Sequence, residues 1–265
     1  MKRKGSPVKR LLYRSLSFEN YLRVLSKMYF FSFDLGLLRH NKLYEYPYFL
    51  KHIIQPGEVV IDIGANLGYL TVLFSNLVKA KGKVYAVEPV APVLTVLREN
   101  VRRRSNVEVL PFALGEENRL IQLGNNSREK SGFVASGSHF VLTQEAVAET
   151  EFDAEMRRGS ELFADLDHID FLKCDIEGYE PPVIREMLPL IEKHRPIMLI
   201  ESRRQNRAEL IDLLRARDFY ALVLHDGYFY PTDANEYWDV LFVPKSKLAR
   251  VETYLTAEAR AMIEG

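Results

Sequence analysis

The residues best suited to chemistry stand at the ends of short segments rich in valine and isoleucine. The first group is the stretch Asp62-Ile63-Gly64-Ala65-Asn66-Leu67-Gly68, which follows Val59–Ile61. Glycines let a backbone turn sharply and approach a ligand closely, because they carry no Cβ. A carboxylate at the end of a buried strand is costly unless a cation or hydrogen-bond donors compensate it. We therefore predict that this turn binds a ligand with positive charge, through Asp62, Gly64, Ala65, Asn66 and Gly68.

A second acid, Glu88, follows the segment Lys83–Val87. An acid about 20 residues beyond a glycine turn is placed to accept both hydroxyls of a ribose. The turn and Glu88 together indicate a nucleoside with a positive charge close by, which describes S-adenosyl-L-methionine. The turn is not the G-x-G-x-x-G of dinucleotide-binding proteins. The alternatives are an NAD-type nucleoside-binding oxidoreductase and a non-catalytic nucleotide-binding module.

A third strand end, Phe112-Ala113-Leu114-Gly115, carries no acid. Its apolar side chains and backbone N–H groups could lie along an adenine. We therefore predict cofactor contacts from Ala113 and Leu114. Core packing accounts equally well for Phe112.

A group of carboxylates follows a fourth strand end, in Lys173-Cys174-Asp175-Ile176-Glu177-Gly178-Tyr179-Glu180, and Glu201 ends the next strand. Converging carboxylates raise one another's pKa or gather a divalent metal, so they could supply a base or an electrophile. We predict catalytic roles for Asp175, Glu201 and Glu177, with Asp175 also near the cofactor. Asp175 and Glu201 are the candidate ligands if a divalent metal is bound. Glu180 is interpreted as a solvated helix start.

The histidines and the cysteine add little. His139 and His225 lie in predicted loops and could act as general bases, because imidazole titrates near neutral pH. Of the two, His139 is retained as a catalytic candidate. Cys174, inside a strand, is interpreted as a buried small hydrophobe.

Strands and helices alternate along the chain, which predicts an α/β fold with a mainly parallel sheet. The last two predicted strands, 219–224 and 237–243, form an antiparallel pair at one edge. Residues 124–138 are polar, which predicts a mobile loop. Residues 148–156 are predicted to form a further strand. The other predicted strands are 59–63, 83–87, 107–111, 169–173 and 197–200, and the predicted helices are 17–50, 69–80, 92–103 and 206–217.

Composition excludes several classes of protein. The chain has 265 residues, of which 47% are apolar, and a single cysteine. That apolar fraction excludes wholesale disorder, and one cysteine excludes both a disulfide scaffold and a thiolate zinc site. No apolar run is long enough to span a membrane as a helix. The cysteine count and the lack of a signal-peptide pattern predict a cytoplasmic location.

Charge is balanced overall but unevenly distributed, with 36 basic and 36 acidic side chains. Residues 1–14 carry six basic side chains and no acid, so the remainder has a net charge of −6. We therefore expect no nucleic-acid partner. The basic tip is interpreted as a frayed terminus, and a weak contact with an acidic membrane surface is the alternative. The sequence predicts no oligomeric state.

Taken together, these segments resemble the FkbM family of S-adenosylmethionine-dependent methyltransferases. The resemblance rests on D-x-G-A-N-x-G at residues 62–68, on Glu88-Pro89, on 112–115, on K-x-D-x-E-G-x-E at 173–180 and on 195–201, in family order. It implies a Rossmann-like, seven-stranded sheet with helices on both faces. The implied domains are a helical extension (1–45), a methyltransferase domain (46–247) and a C-terminal helix (248–265).

The resemblance also implies a chemistry. The usual acceptors of the family are hydroxyl groups of sugars, glycolipids, polysaccharides or other natural products, so the expected partner is a small-molecule or glycan acceptor. Methyl transfer needs collinear positioning of nucleophile and methyl group. Because an alcohol has a pKa far above 7, a base or a metal must help to remove its proton.

Overall fold

The computed structural model describes residues 7–142, 147–201, 203–232 and 239–264. These residues form an eight-stranded sheet and a four-stranded sheet, flanked by helices. The strands are β1 (Val59–Ile63), β2 (Lys83–Val87), β3 (Val107–Leu110), β4 (Ala113–Leu114), β5 (Arg119–Asn125), β6 (Phe140–Val141), β7 (Thr150–Arg157), β8 (Phe171–Cys174), β9 (Ile197–Glu201), β10 (Phe219–His225), β11 (Tyr228–Pro231) and β12 (Asp239–Pro244).

Helices occupy both termini and most of the connections between the strands of the large sheet. They are α1 (Pro7–Ser15), α2 (Phe18–Asp34), α3 (Glu45–Phe49), α4 (Tyr69–Val78), α5 (Ala91–Val101), α6 (Ser127–Ser131), α7 (Gly159–Leu162), α8 (Glu180–Glu186), α9 (Leu188–His194), α10 (Arg204–Arg215) and α11 (Ala257–Glu264). Short 3₁₀ turns occur at 42–44, 50–52, 245–250 and 252–254. No helix of the described residues is long and apolar enough to cross a membrane.

The large sheet has the order β11-β10-β12-β9-β8-β1-β2-β3. Strands β3, β2, β1, β8 and β9 are mutually parallel. Chain connections wind outward from β1 to β3 on one side and from β8 to β9 on the other. A crevice therefore opens beyond the carboxyl ends of β1 and β8, where such sheets bind their ligands.

The prediction of seven strands was wrong, because the described residues place eight in this sheet. The antiparallel pairing of β10 with β12 was correctly predicted. However, β12 lies between β9 and β10, and β11 takes the edge. β11 falls in the stretch predicted to be a connection, because Tyr228–Pro231 is too short and too close to a turn to show a periodicity.

The region between β3 and β8 forms a second sheet, of order β4-β7-β5-β6. The predicted strand at 148–156 corresponds to β7, but the stretch predicted as a mobile loop contains the end of β5 and α6. Helices α1 and α2 pack beside this sheet, where the buried Tyr21 and Leu22 of α2 belong to the same apolar cluster as Ile121 and Leu123 of β5. The second sheet is thereby held over the crevice.

The helices predicted within 17–50 correspond to α2 and α3, with a turn between them. The basic tip is partly ordered rather than frayed. Arg10 Nε donates to the carbonyl oxygen of Ser131 at 2.7 Å, and Lys9 lies over the ring of Phe133. Lys2, Arg3 and Lys4 lie outside the described residues.

Candidate functional site

A cleft with a volume of about 290 Å³ opens at the carboxyl ends of the parallel strands, between the two sheets. Nine residues predicted from the sequence line it: Gly64, Asn66, Glu88, Ala113, Leu114, His139, Asp175, Glu177 and Glu201. Three other predicted residues, Asp62, Ala65 and Gly68, do not. The parallel sheet explains the convergence, because the ends of its strands meet at one edge.

The glycine turn has a left-handed backbone, with φ of +75° at Gly64 and +84° at Gly68. The protein itself also requires glycine at these two positions. A Cβ on Gly64 would overlap the carbonyl oxygen of Asp175, and one on Gly68 would lie 2.7 Å from Leu97 Cδ1. The space without a Cβ is thus filled by the protein itself. The absence of a Cβ at Gly64 lets the end of β1 pack directly against the backbone of Asp175.

We expect Gly64→Ala to lower the free energy of unfolding by about 3 kcal/mol, because a clash with rigid backbone adds to the cost of a left-handed φ. Gly57→Ala is the matched control. Gly57 has a φ of +93°, and nothing lies within 4 Å of a Cβ built there. Gly57→Ala should lower the free energy of unfolding by only about 1–2 kcal/mol, because the backbone conformation is its sole cost. Urea denaturation measures both, and equal losses would contradict the packing role.

Asp62 is not among the residues that line the cleft. Its side chain is fully buried, and Oδ2 accepts a hydrogen bond from Thr71 Oγ1 at 2.6 Å. Oδ1 has no hydrogen-bond partner among the described residues and lies 4.0 Å from Lys173 Nζ. Burial raises the pKa of Asp62, although Lys173 and Thr71 act in the opposite direction. Within the protein, the charged group that Asp62 faces is the ammonium of Lys173.

Lys173 is a buried cation that joins three parts of the site. Nζ donates to Asp175 Oδ2 at 3.1 Å and to the carbonyl oxygen of Gly64 at 3.3 Å. Burial alone would lower the pKa of Lys173, but Asp175 and Asp62 raise it above its usual range. Lys173 is therefore charged and compensates two carboxylates. Sequence reasoning assigned it no role.

Asp175 and Glu201 form a hydrogen-bonded carboxyl pair at the cleft. Burial, the nearby charge of Asp175 and their shared hydrogen bond raise the pKa of Glu201. Although burial opposes it, Lys173 together with the hydrogen bond from Glu201 lowers the pKa of Asp175. At neutral pH, Glu201 is therefore protonated and donates to an ionised Asp175. Asp175 and Glu201, two of the four residues predicted as catalytic, therefore lie side by side.

A third acid, Asp239, stands beside this pair and was missed by sequence reasoning. It is the register partner of Glu201 across β12 and β9. Burial and the charge of Asp175 raise its pKa to about 6, while Lys173 and Arg207 oppose the shift. The signal that could have found it is an acid near the start of the last predicted strand, 237–243.

Glu88 presents its carboxylate to the cleft from the end of β2. Its Oε2 accepts from the backbone N–H of Asn66 at 2.9 Å and its Oε1 from that of Val90 at 3.0 Å. Burial raises its pKa to about 7. Each oxygen retains a second lone pair, so the carboxylate can still accept hydroxyl groups.

The turn after Asp175 is held by Glu180, which was predicted to be solvated but is only 1% exposed. Its Oε1 accepts from the backbone N–H groups of Ile176 and Gly178. Glu177 has a left-handed φ of +58°, and its carboxylate pairs with Arg203 at 3.1 Å. Glu177 lines the cleft, but the guanidinium of Arg203 partly neutralises its charge. Glu177 is therefore less suited to act as a base.

Of the two candidate histidines, His139 lines the cleft and His225 does not. His139 lines the cleft and packs edge-on against Phe152. Burial lowers its pKa to about 4, so it is neutral at physiological pH. His225 ends β10 next to Asp226 and is not among the residues lining the cleft.

The candidate metal ligands were tested against their surroundings. The ammonium of Lys173 already lies at salt-bridge distance from Asp175, and Glu201 is protonated. A second cation would have to displace or repel Lys173. Among the described residues, no group of three or more His, Cys, Asp or Glu side chains could hold a metal ion. The pair fits a proton better than it fits a divalent metal.

The model of the methyltransferase FkbM domain matches residues 62–221, which is more than half of the 265 residues. The chain belongs to the FkbM methyltransferase family. The match begins at Asp62 and includes Glu88, Asp175 and Glu201.

Individual relatives of this FkbM protein match over shorter stretches. A protein-L-isoaspartate O-methyltransferase of Aeropyrum pernix is 39% identical over 62 residues, or 23% of this chain and 24% of that protein. One from Triticum aestivum is 35% identical over 54 residues, or 20% of this chain and 24% of that protein. The chain thus matches about a quarter of the length of these relatives.

Among solved structures, methyltransferase FkbM from Methylobacillus flagellatus superimposes with a TM-score of 0.46 and 17% identity. The superposition covers 89% of this chain and 58% of that one.

A second cavity, of about 460 Å³, adjoins the cleft of this FkbM protein. Five residues line both spaces: Phe140, Val141, Ile176, Glu177 and Tyr179. The side away from the cleft adds Arg119, whose guanidinium pairs with Glu117 at 2.7 Å. The chain therefore offers two adjoining spaces, separated by the tip of β6 and the turn after Asp175.

Proposed function

We propose that this FkbM protein transfers a methyl group from S-adenosyl-L-methionine to a hydroxyl group of a sugar, glycan or other small molecule. The observation that carries the proposal is Glu88, which faces the cleft with both oxygens oriented by backbone N–H groups. Such a carboxylate is suited to accepting the two hydroxyls of a ribose. We also propose the cytoplasmic location expected from the lone cysteine, which is buried.

Within the cleft, the residues around Glu88 divide by chemistry. Ala113 and Leu114, with Phe112 beside them, form an apolar wall suited to an adenine. Gly64 and Asn66 also line the cleft, where Asp175 adds a negative charge for a cationic ligand group. When bound, S-adenosyl-L-methionine supplies a methyl group on a sulfonium with a neutral leaving group. Asp62 and Lys173 contribute by holding Asp175 in place.

The carboxyl pair is suited to receiving the proton of an acceptor hydroxyl. Asp175 is ionised at neutral pH and holds one proton in common with Glu201. Loss of that proton leaves two adjacent carboxylates, which form a stronger base. The pair therefore removes a hydroxyl proton more effectively as pH rises through the titration of Glu201.

We propose the second cavity as the acceptor site. It adjoins the cleft at Tyr179 and Glu177, so a hydroxylated molecule seated there could extend toward the carboxyl pair that lines the cleft. The size of the cavity and the polar groups of Arg119, Glu177 and Tyr179 favour a sugar-like acceptor over an apolar one.

Binding of S-adenosylhomocysteine tests the cofactor assignment. Glu88 has a pKa of about 7, and only its ionised form accepts from both ribose hydroxyls. We expect the affinity to increase as pH rises through about 7, since the carboxylate form then predominates. Glu88→Gln should lower the affinity about tenfold or more and remove this pH dependence. Isothermal titration calorimetry across that pH range measures both effects.

Glu108→Gln is the control, since Glu108 is half-exposed and pairs with Lys83 at the surface. It should bind as the parent protein does. Titration with NAD distinguishes the oxidoreductase alternative, and binding of NAD without S-adenosylhomocysteine would overturn the proposal. An acceptor screen with labelled methyl donor, with and without a chelator, then tests the transfer to hydroxyl groups.

A further inference from the structure

We propose that the segment 27–43 docks this protein onto an anionic membrane surface. Among the described residues, 11 large hydrophobic side chains are exposed, and seven of them lie between Val8 and Leu43. Five form what we call the apolar strip: Met28, Phe31, Leu35, Leu37 and Leu43, each 49–66% exposed. Single exposed hydrophobics are ordinary, but a cluster within one segment marks an interaction surface.

Part of the strip lies on a helix face that the other described residues leave exposed. Met28, Phe31 and Leu35 are spaced three and four residues apart, so they share one face of the end of α2. The opposite face is anchored by aromatic contacts: Tyr29 lies 4.1 Å from Tyr69 and Phe33 stacks on Tyr48 at 4.4 Å, centroid to centroid. The helix is therefore held firmly while its apolar face remains in solvent.

Charge identifies the partner as anionic. Residues 1–43 contain 10 basic and two acidic side chains, whereas the rest of the chain contains 26 basic and 34 acidic ones. Lys27, Arg39 and Lys42 are exposed within the segment that carries the strip. Apolar side chains flanked by lysine and arginine are typical of elements that lie in a membrane interface. Anionic lipids attract such basic groups.

The position of the strip relates it to the cleft. Tyr69, which Tyr29 contacts, begins α4 directly after the glycine turn. Beyond the strip, Glu45 accepts from the backbone N–H of Gly227, which follows β10. β10 runs in the same direction as β9, so both anchor points lie at the carboxyl edge of the large sheet. The strip therefore borders the edge at which the cleft opens.

Flotation with phospholipid vesicles tests the docking. We expect the full chain to float with phosphatidylcholine vesicles containing about 30% phosphatidylserine, and much less with phosphatidylcholine alone. Raising the salt from about 0.1 M to about 0.5 M should weaken binding, because it screens the basic residues. The double variants Phe31→Ser/Leu35→Ser and Lys27→Gln/Lys42→Gln should each bind at least about tenfold more weakly.

Leu120→Ser is the matched control, since Leu120 is 82% exposed on the second sheet and away from the strip. It should bind vesicles as the parent chain does. No flotation, equal flotation with neutral vesicles, or unchanged binding by both double variants would overturn the proposal. So would sedimentation velocity showing that the strip instead joins two copies of the chain. Binding of S-adenosylhomocysteine by the same variants reports on the cofactor assignment separately.

Discussion

Replacing Lys173 by methionine is expected to lower the free energy of unfolding by about 3–5 kcal/mol, the usual cost of removing one partner from a buried ion pair. Lys173 is 7% exposed and is the cation that faces both Asp62 and Asp175. Without it, two carboxylates lie close together in a medium of low dielectric constant. Urea denaturation at neutral pH measures the loss.

The loss should depend on pH with a defined sign. In Lys173→Met, the folded-state pKa of Asp62 rises further above its unfolded value, and the pKa of Asp175 is no longer lowered by the charge of Lys173. The variant then binds these protons in the folded state, so its deficit is small near about pH 4 and grows as pH rises. A stability deficit that is the same near about pH 4 and at neutral pH would contradict this account.

Lys83→Met supplies the control. Lys83 pairs with Glu108 at 3.0 Å, but its side chain is 35% exposed. An exposed pair contributes only about 0–1 kcal/mol. Adding Asp62→Asn to Lys173→Met should recover part of the stability, since it removes one of the two unpaired carboxylates. Equal losses of unfolding free energy in the two methionine variants would show that Lys173 does not stabilise the fold by compensating the charges of Asp62 and Asp175.

Asp175→Asn is expected to lower kcat by about 10²–10⁴-fold, the usual contribution of a positioned general base. The asparagine keeps the size of the side chain but cannot receive a proton. Turnover at saturating cofactor and acceptor measures the effect. Binding of S-adenosylhomocysteine by the same variant shows how much of the loss comes from cofactor affinity. Unchanged turnover at saturation would remove Asp175 from the mechanism.

Glu201 distinguishes the pair from a single base. Burial and the charge of Asp175 raise the pKa of Glu201 well above its usual range, so its proton leaves only under alkaline conditions. We expect kcat of the parent protein to rise with pH above neutral. Glu201→Gln keeps a hydrogen-bond donor toward Asp175 and cannot titrate, so its profile should be flat. A rise retained in Glu201→Gln would assign the titration to another group.

Several of these residues were predictable because their positions follow from local sequence. Runs of valine and isoleucine identify β1, β2 and β9, and parallel strands bring their carboxyl ends to one edge. Glu88, Asp175 and Glu201 stand immediately at or after such ends, and all three line the cleft. The order of the motifs along the chain also identified the family.

The roles of Asp62 and Lys173 were not predictable in this way. Successive side chains of a strand point to opposite faces, so Ile63 lines the cleft while Asp62 does not. Asp62 meets Lys173 only because β1 and β8 pair in that register. Register between strands so far apart in sequence is set by packing of the whole sheet, which no local periodicity records.

By itself, then, the sequence determined the family, the α/β class and the acids at the strand ends, since these depend on short-range patterns. Only the tertiary structure decided the eighth strand, the second sheet over the cleft and the partner of each buried charge. It also decided which apolar side chains of 27–43 stay in solvent. Each of these depends on contacts between residues distant in sequence, whose burial and electrostatic energies arise once the chain has packed.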